Sequence, residues 1–175
     1  MKKIILISSL CVFLASCGSS FNSFYNSHKS DLGTTSFQVP KFMKAIVGSI
    51  SPEINQAIGN ISDFKFIKFE NINAFKRQSL INEMNGVTKQ KYIDVFRKNE
   101  VDRTQIISVR EKGTEITDVV IFKSTVDVTS AYYLQGHFDA NKIRKMANDG
   151  GVDSFTKGLL KSYNQNDTPS SNTEN

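Results

Sequence analysis

From Gln105 to Phe138 the chain is almost entirely strand-forming sequence, and this run limits the fold more than any other. Gln105–Arg110 and Glu115–Phe122 are rich in Ile and Val. Between them lie only Glu111-Lys112-Gly113-Thr114, where glycine supplies the positive φ of a tight hairpin. Val126–Phe138 is the longest stretch, and Thr129, Ala131, Tyr133 and Gln135 alternate with Ser130, Tyr132 and Leu134. Adjacent Tyr132 and Tyr133 therefore point to opposite faces: one belongs in the core and the other is a candidate binding residue. Gly136 marks a bulge or a close backbone contact. Strands joined this closely pair antiparallel.

Upstream, Thr34–Val39 reads as a short strand, and Pro40 opens a helix carrying Phe42, Met43, Ile46, Val47 and Ile50 at helical spacing. Residues 53–61 read as a looser helix with Ile54, Ile58 and Ile61 on one side. In Phe64–Phe69, Phe64 and Phe66 face one way and Ile67 and Phe69 the other, the mark of an interior strand. The next helix is capped by Asn71 or Asn73, buries Ile72, Phe75, Leu80 and Met84, and closes at Gly86. Tyr92, Val95 and Phe96 predict one or two helical turns. After the meander, Asp139 caps a helix with Ile143 and Met146, and Val152, Phe155, Leu159 and Leu160 fit a further short helix. This order predicts an α+β domain, a single mostly antiparallel sheet of about five strands with helices packed on one face. The other face, partly open, is the natural place for a ligand or partner.

The N-terminus sets an address. Lys2 and Lys3 precede an apolar run, Ile4–Leu14, that is shorter than the ~20 residues of a spanning helix. Leu14-Ala15-Ser16-Cys17 then matches a bacterial lipobox. Cleavage would remove residues 1–16 and leave Cys17 carrying diacylglycerol and a fatty acid, the only attached groups expected. Several acyl chains anchor stably where one does not. Cys11 leaves with the signal and Cys17 becomes a thioether, which excludes a catalytic cysteine, a disulfide and a zinc–thiolate site. Gly18, not aspartate, follows the cysteine, which favours the periplasmic face of an outer membrane. Residues 17–33 are small and polar and predict a lipidated tether, with Phe21, Phe24 and Tyr25 docking on the domain or at the headgroups. The domain is expected over 34–163 and a disordered tail over 164–175.

Loss of Lys2 and Lys3 lowers the formal net charge from +5 to +3, a mild excess spread along the chain. An exported, lipidated protein does not meet nucleic acid in ordinary function. The expected partners are the bilayer, through Cys17, and an envelope protein or an amphiphile. His28 stands beside Ser27, Ser30 and Asp31, but neighbours in a flexible arm cannot hold triad geometry. His137 is a candidate binding residue near Asp139, which could orient it as a base. Lys65 and Lys68 flank apolar strand residues and could meet anionic headgroups. Scattered Asp94, Asp102, Glu115 and Asp118 lack the dense spacing of a calcium loop. No Gly-rich phosphate loop or Gly-x-Ser-x-Gly elbow is present, and no residue is assigned as catalytic or metal-binding.

Several segments, in order, resemble one family. Phe37-Gln38-Val39 with Pro40-Lys41-Phe42-Met43 is similar to its opening strand and helix, and Tyr92–Phe96 to a Tyr-centred segment. Glu115-Ile116-Thr117-Asp118-Val119-Val120 resembles its central strand, and Gly136-His137-Phe138-Asp139 with Ile143 and Met146 its closing strand and helix. This is the family of small exported bacterial proteins designated domain of unknown function 4252. The resemblance, over roughly residues 21–147, implies an exported α+β protein with no assigned reaction and carries over no catalytic residues. The expectation is a non-catalytic binding module of the cell envelope. The alternatives are an envelope hydrolase for glycan or lipid, working through carboxylates or His137, and a periplasmic lipid carrier with a closed apolar pocket.

Overall fold

A computed structural model describes residues 19–39, 59–89 and 91–143. The signal, Cys17, the tail and the helices expected over 40–50 and 152–160 lie outside them, as does most of the helix expected over 53–61.

Helix α1 (Phe21–His28) falls where a tether was expected. Ser20 caps it, its Oγ accepting the Ser23 N–H at 3.1 Å. Phe21, Phe24, Tyr25 and His28 recur at i, i+3, i+4 and i+7, and all are buried. That stripe outweighs the small polar residues around it, so the chain from Ser20 onward is domain.

Strand β1 (Thr34–Val39) follows, then β2 (Gly59–Glu70), which takes Gly59–Ile61 into the sheet where a helix was expected. Helix α2 (Ala74–Lys89) starts at Asn73, whose Oδ1 accepts the Lys76 N–H at 2.8 Å. Leu80, Met84 and Val87 are buried, whereas Phe75, expected in that stripe, is exposed. Gly86 does not end the helix. It lies against Ser19, whose Oγ would sit 3.4 Å from an added Cβ.

The remaining strands are β3 (Ile93–Asn99), β4 (Thr104–Lys112), β5 (Glu115–Ser124) and β6 (Val128–Phe138). The sheet has six strands in the order β1-β2-β6-β5-β4-β3, and every neighbouring pair is antiparallel. The extra strand is β3, where helical turns were expected. It is an edge strand with a register irregularity between Asp94 and Phe96, which breaks the alternation a strand would otherwise show. The β4–β5 hairpin turns on Gly113 at φ +68°, as its sequence predicts.

Both faces of the sheet are buried. Ile67, Phe69, Ile106, Val120, Phe122 and Tyr133 meet Phe21, Phe24, Leu80 and Met84 of the helices. On the other face, Phe64, Phe66, Ile107, Val119, Ile121, Tyr132 and Leu134 form a second cluster joined by Ile143. The expected open face is therefore absent from this part of the sheet, because apolar side chains line both sides of β2, β4, β5 and β6. The chain is helical again from Ala140 to Ile143, with Asp139 Oδ1 accepting the N–H groups of Asn141 and Lys142 at 2.8 and 3.0 Å.

Candidate functional site

With both faces of the central strands buried, the exposed large apolar residues among those described lie mostly at one end of the sheet. At that end, Thr34, Phe69, Thr129, Ser124, Thr104 and Asn99 stand in register across all six strands. Just beyond that row lie Leu32, Phe75, Val101 and Val126, exposed at 99%, 86%, 91% and 58%. They sit in the α1–β1 loop, the first turn of α2, the β3–β4 loop and the β5–β6 turn.

These segments are held by polar contacts. Lys76 Nζ donates to Asp31 Oδ2 at 2.9 Å, and the same carboxylate meets His28 Nδ1 at 2.8 Å, which pins the loop bearing Leu32. His28 Nε2 lies 2.8 Å from Glu83 Oε2, tying α1 to α2. Arg77 donates to the carbonyls of Val101 and Asp102, both at 3.4 Å. Thr125 closes the last turn, its N–H donating to the Val128 carbonyl at 2.8 Å. The hydrogen bonds from His28 and Lys76 hold the Asp31 carboxyl below its ordinary pKa. The apolar tips are thus presented on pinned segments, which lowers the ordering cost of docking.

The opposite end is polar. Asp63, Gln135, Asp118 and Arg110 face one another across β2, β6, β5 and β4. Register irregularities fall beside them, at Ile61/Asp63, Ile116/Asp118 and Arg110/Glu111. Bulges re-aim side chains, and here they bring polar groups into the helix-covered layer. Asp118 is fully buried and accepts from Arg110 Nε at 2.8 Å, Thr117 Oγ1 at 2.7 Å and the Tyr133 hydroxyl. Lys65 Nζ donates to Asp63 Oδ2 at 2.6 Å and lies 5.3 Å from the Tyr133 ring centroid. Burial, reinforced by Asp118, pushes the Tyr92 hydroxyl up to about 12 and also raises Tyr133, where the hydrogen bond to Asp118 adds to it. Beside this network a groove of about 380 Å³ is lined by Asn85, Thr88, Lys89, Tyr92, Asp94 and Arg97. Burial alone would raise the Asp94 carboxyl, but hydrogen bonds from Arg97 and Ser108 hold it below the usual range.

The residues singled out from sequence fall as follows. Tyr132 and Tyr133 are both core, one in each cluster, so neither supplies the surface expected of that strand. Their strand is interior and covered on both sides. His137 is exposed, and its Nδ1 lies 3.2 Å from Glu115 Oε2; Asp139 is occupied as a helix cap. His28 is buried, not in a flexible arm, and both ring nitrogens already face carboxylates. Lys65 is buried against Asp63, and Lys68 pairs with Glu70 at 2.9 Å, so Lys65 does not reach headgroups. Cys17 lies outside the described residues. Among the described residues no group of three or more His, Asp or Glu could hold a metal, and no helix is long and apolar enough to cross a membrane. The loop-end residues were missed. Their signal is a lone apolar residue in a polar turn: Leu32 after Asp31, Val101 between Glu100 and Asp102, Val126 between Thr125 and Asp127.

These features define an α+β domain built on one six-stranded antiparallel sheet, with an apolar loop end and a polar opposite end. The chain belongs to the family described as domain of unknown function DUF4252, whose model matches residues 25–146. Comparisons with curated proteins and with solved structures give no significant match.

Proposed function

We propose that this chain is a lipid-anchored, non-catalytic interaction module of the bacterial cell envelope. Acylated Cys17 holds it to the bilayer, and the end carrying Leu32, Phe75, Val101 and Val126 receives an envelope protein. The observation that carries this reading is the gathering of exposed apolar tips on pinned segments at one end. Buried apolar anchors dominate protein–protein binding energy. The catalytic candidates have structural partners: Asp118 neutralises Arg110, Asp139 caps a helix and His28 is a strut.

The test is photocrosslinking in intact cells from positions 32, 75, 101 and 126, with His137 as the control position. A discrete protein adduct confined to the loop end, and lost in Val101→Asp and Val126→Asp, supports the module. Adducts with no preference for that end contradict it. A hydrolase reading keeps one foothold, the exposed His137–Glu115 pair. His137→Ala and Glu115→Gln variants that retain full function in cells would retire it. The polar lining of the groove does not suit an acyl chain.

A further inference from the structure

The N-terminal lipid and the apolar loops belong to opposite ends of the molecule. Ser19 packs beside Gly86, near the C-terminal end of α2, and Ser20 caps α1 from the same side. Only Gly18 stands between Ser19 and Cys17, so the acylated residue lies within roughly 7 Å of Ser19. Two residues, Cys17 and Gly18, are all the chain that separates the packed Ser19 from the proposed acyl chains. The end that meets the membrane is then set by where Ser19 sits, against the last turns of α2; by register, the start of β3 and the β4–β5 turn lie at the same end of the sheet.

The chemistry of that end fits headgroups. Lys89, Lys91 and Lys112 are exposed there beside exposed Glu111 and Glu115, a mixed set of charges that can meet both the amine and the phosphate of a headgroup. Ile93 is 57% exposed at the same end, an apolar side chain able to enter the headgroup region. The groove between α2 and β3 offers both signs of charge, Lys89 and Arg97 against Asp94. Across the sheet, β5 spans ten residues, which places the Val126 turn up to roughly 35 Å from the Gly113 turn. That far end lies well beyond the ~8 Å reach of headgroup charge at physiological salt.

We infer that the α2–β3 end of the domain, with Lys89, Lys91, Ile93 and Lys112, rests on the phospholipid headgroups of the bilayer that holds Cys17, so that the loop end faces away from the membrane. The inference rests on the proposed acylation of Cys17, and its test separates the two. Full-length precursor carrying Lys112→Cys, Lys91→Cys, Val126→Cys or Val101→Cys is processed in cells. It is then labelled with an environment-sensitive fluorophore and reconstituted in phosphatidylethanolamine–phosphatidylglycerol vesicles containing a headgroup-quencher lipid. Acylation and cleavage leave no other free thiol to label. Mass spectrometry of the N-terminal peptide reads the acyl chains, and near-native circular dichroism qualifies each variant. Quenching several-fold stronger at positions 112 and 91 than at 126 and 101 is the expected result. Equal quenching at both ends, or stronger quenching at the loop end, on an acylated Cys17 overturns the orientation and leaves the anchor standing. An unacylated Cys17 overturns both.

Discussion

The residue that best shows how this domain tolerates charge is Asp118, buried beneath the helices with four donor atoms around it, two of them on Arg110. Its partner Arg110 is 39% exposed in its side chain and reaches solvent. The pair is therefore asymmetric. Arg110→Met strands a buried carboxylate and should cost about 3–5 kcal/mol, whereas Asp118→Asn leaves a cation that water can reach and should cost about 1–3 kcal/mol. Denaturant titration of the two variants checks the order. The same layer sets a pH dependence. Tyr92 is pushed up to about 12 and Tyr133 is raised by burial. Above about pH 10 the unfolded chain loses tyrosyl protons that the fold retains, so stability falls as pH rises. Unfolding midpoints should decline between about pH 10 and pH 12, and Tyr133→Phe should flatten that decline once its lower starting stability is allowed for.

At the scale of elements, legibility followed how plainly periodicity survives. The hairpin at Gly113, the two-faced β2 and the long β6 are readable because alternation and turn chemistry agree there. β3 was not, because a bulge at an edge strand puts Val95 and Phe96 in contact with the same cluster. α1 carried a full i, i+3, i+4, i+7 stripe, but its Asn and Ser content and nearness to Cys17 favoured a tether. Its docking is a strong prediction. Phe24 packs against His28 and Phe69 with ring centroids 5.1 and 6.3 Å away, so Phe24→Ala should cost about 3–5 kcal/mol. His28→Ala removes the contacts to Asp31 and Glu83 and should expose α1 and the Leu32 loop to proteolysis ahead of the sheet. Cleavage of wild type and variant at the same rate would contradict that role.

At the scale of the whole molecule, the sheet separates an end beside Ser19, where the proposed anchor would lie, from an end that presents apolar tips. None of this separation was visible in the linear chain, because it depends on register: Leu32, Phe75, Val101 and Val126 are far apart in sequence and share one end only because six strands end in line. The apparent candidates, Tyr132 and Tyr133, failed for the complementary reason that both faces of β6 are covered. The two-ended arrangement predicts unlike neighbours at the two ends in cells. The most direct measurement is photocrosslinking of acylated protein from positions 112 and 126 in the same cells, with adducts identified by mass spectrometry. The account predicts lipid adducts at 112 and a discrete protein adduct at 126. Lipid adducts at 126 with protein at 112, or the same adducts at both, would contradict it.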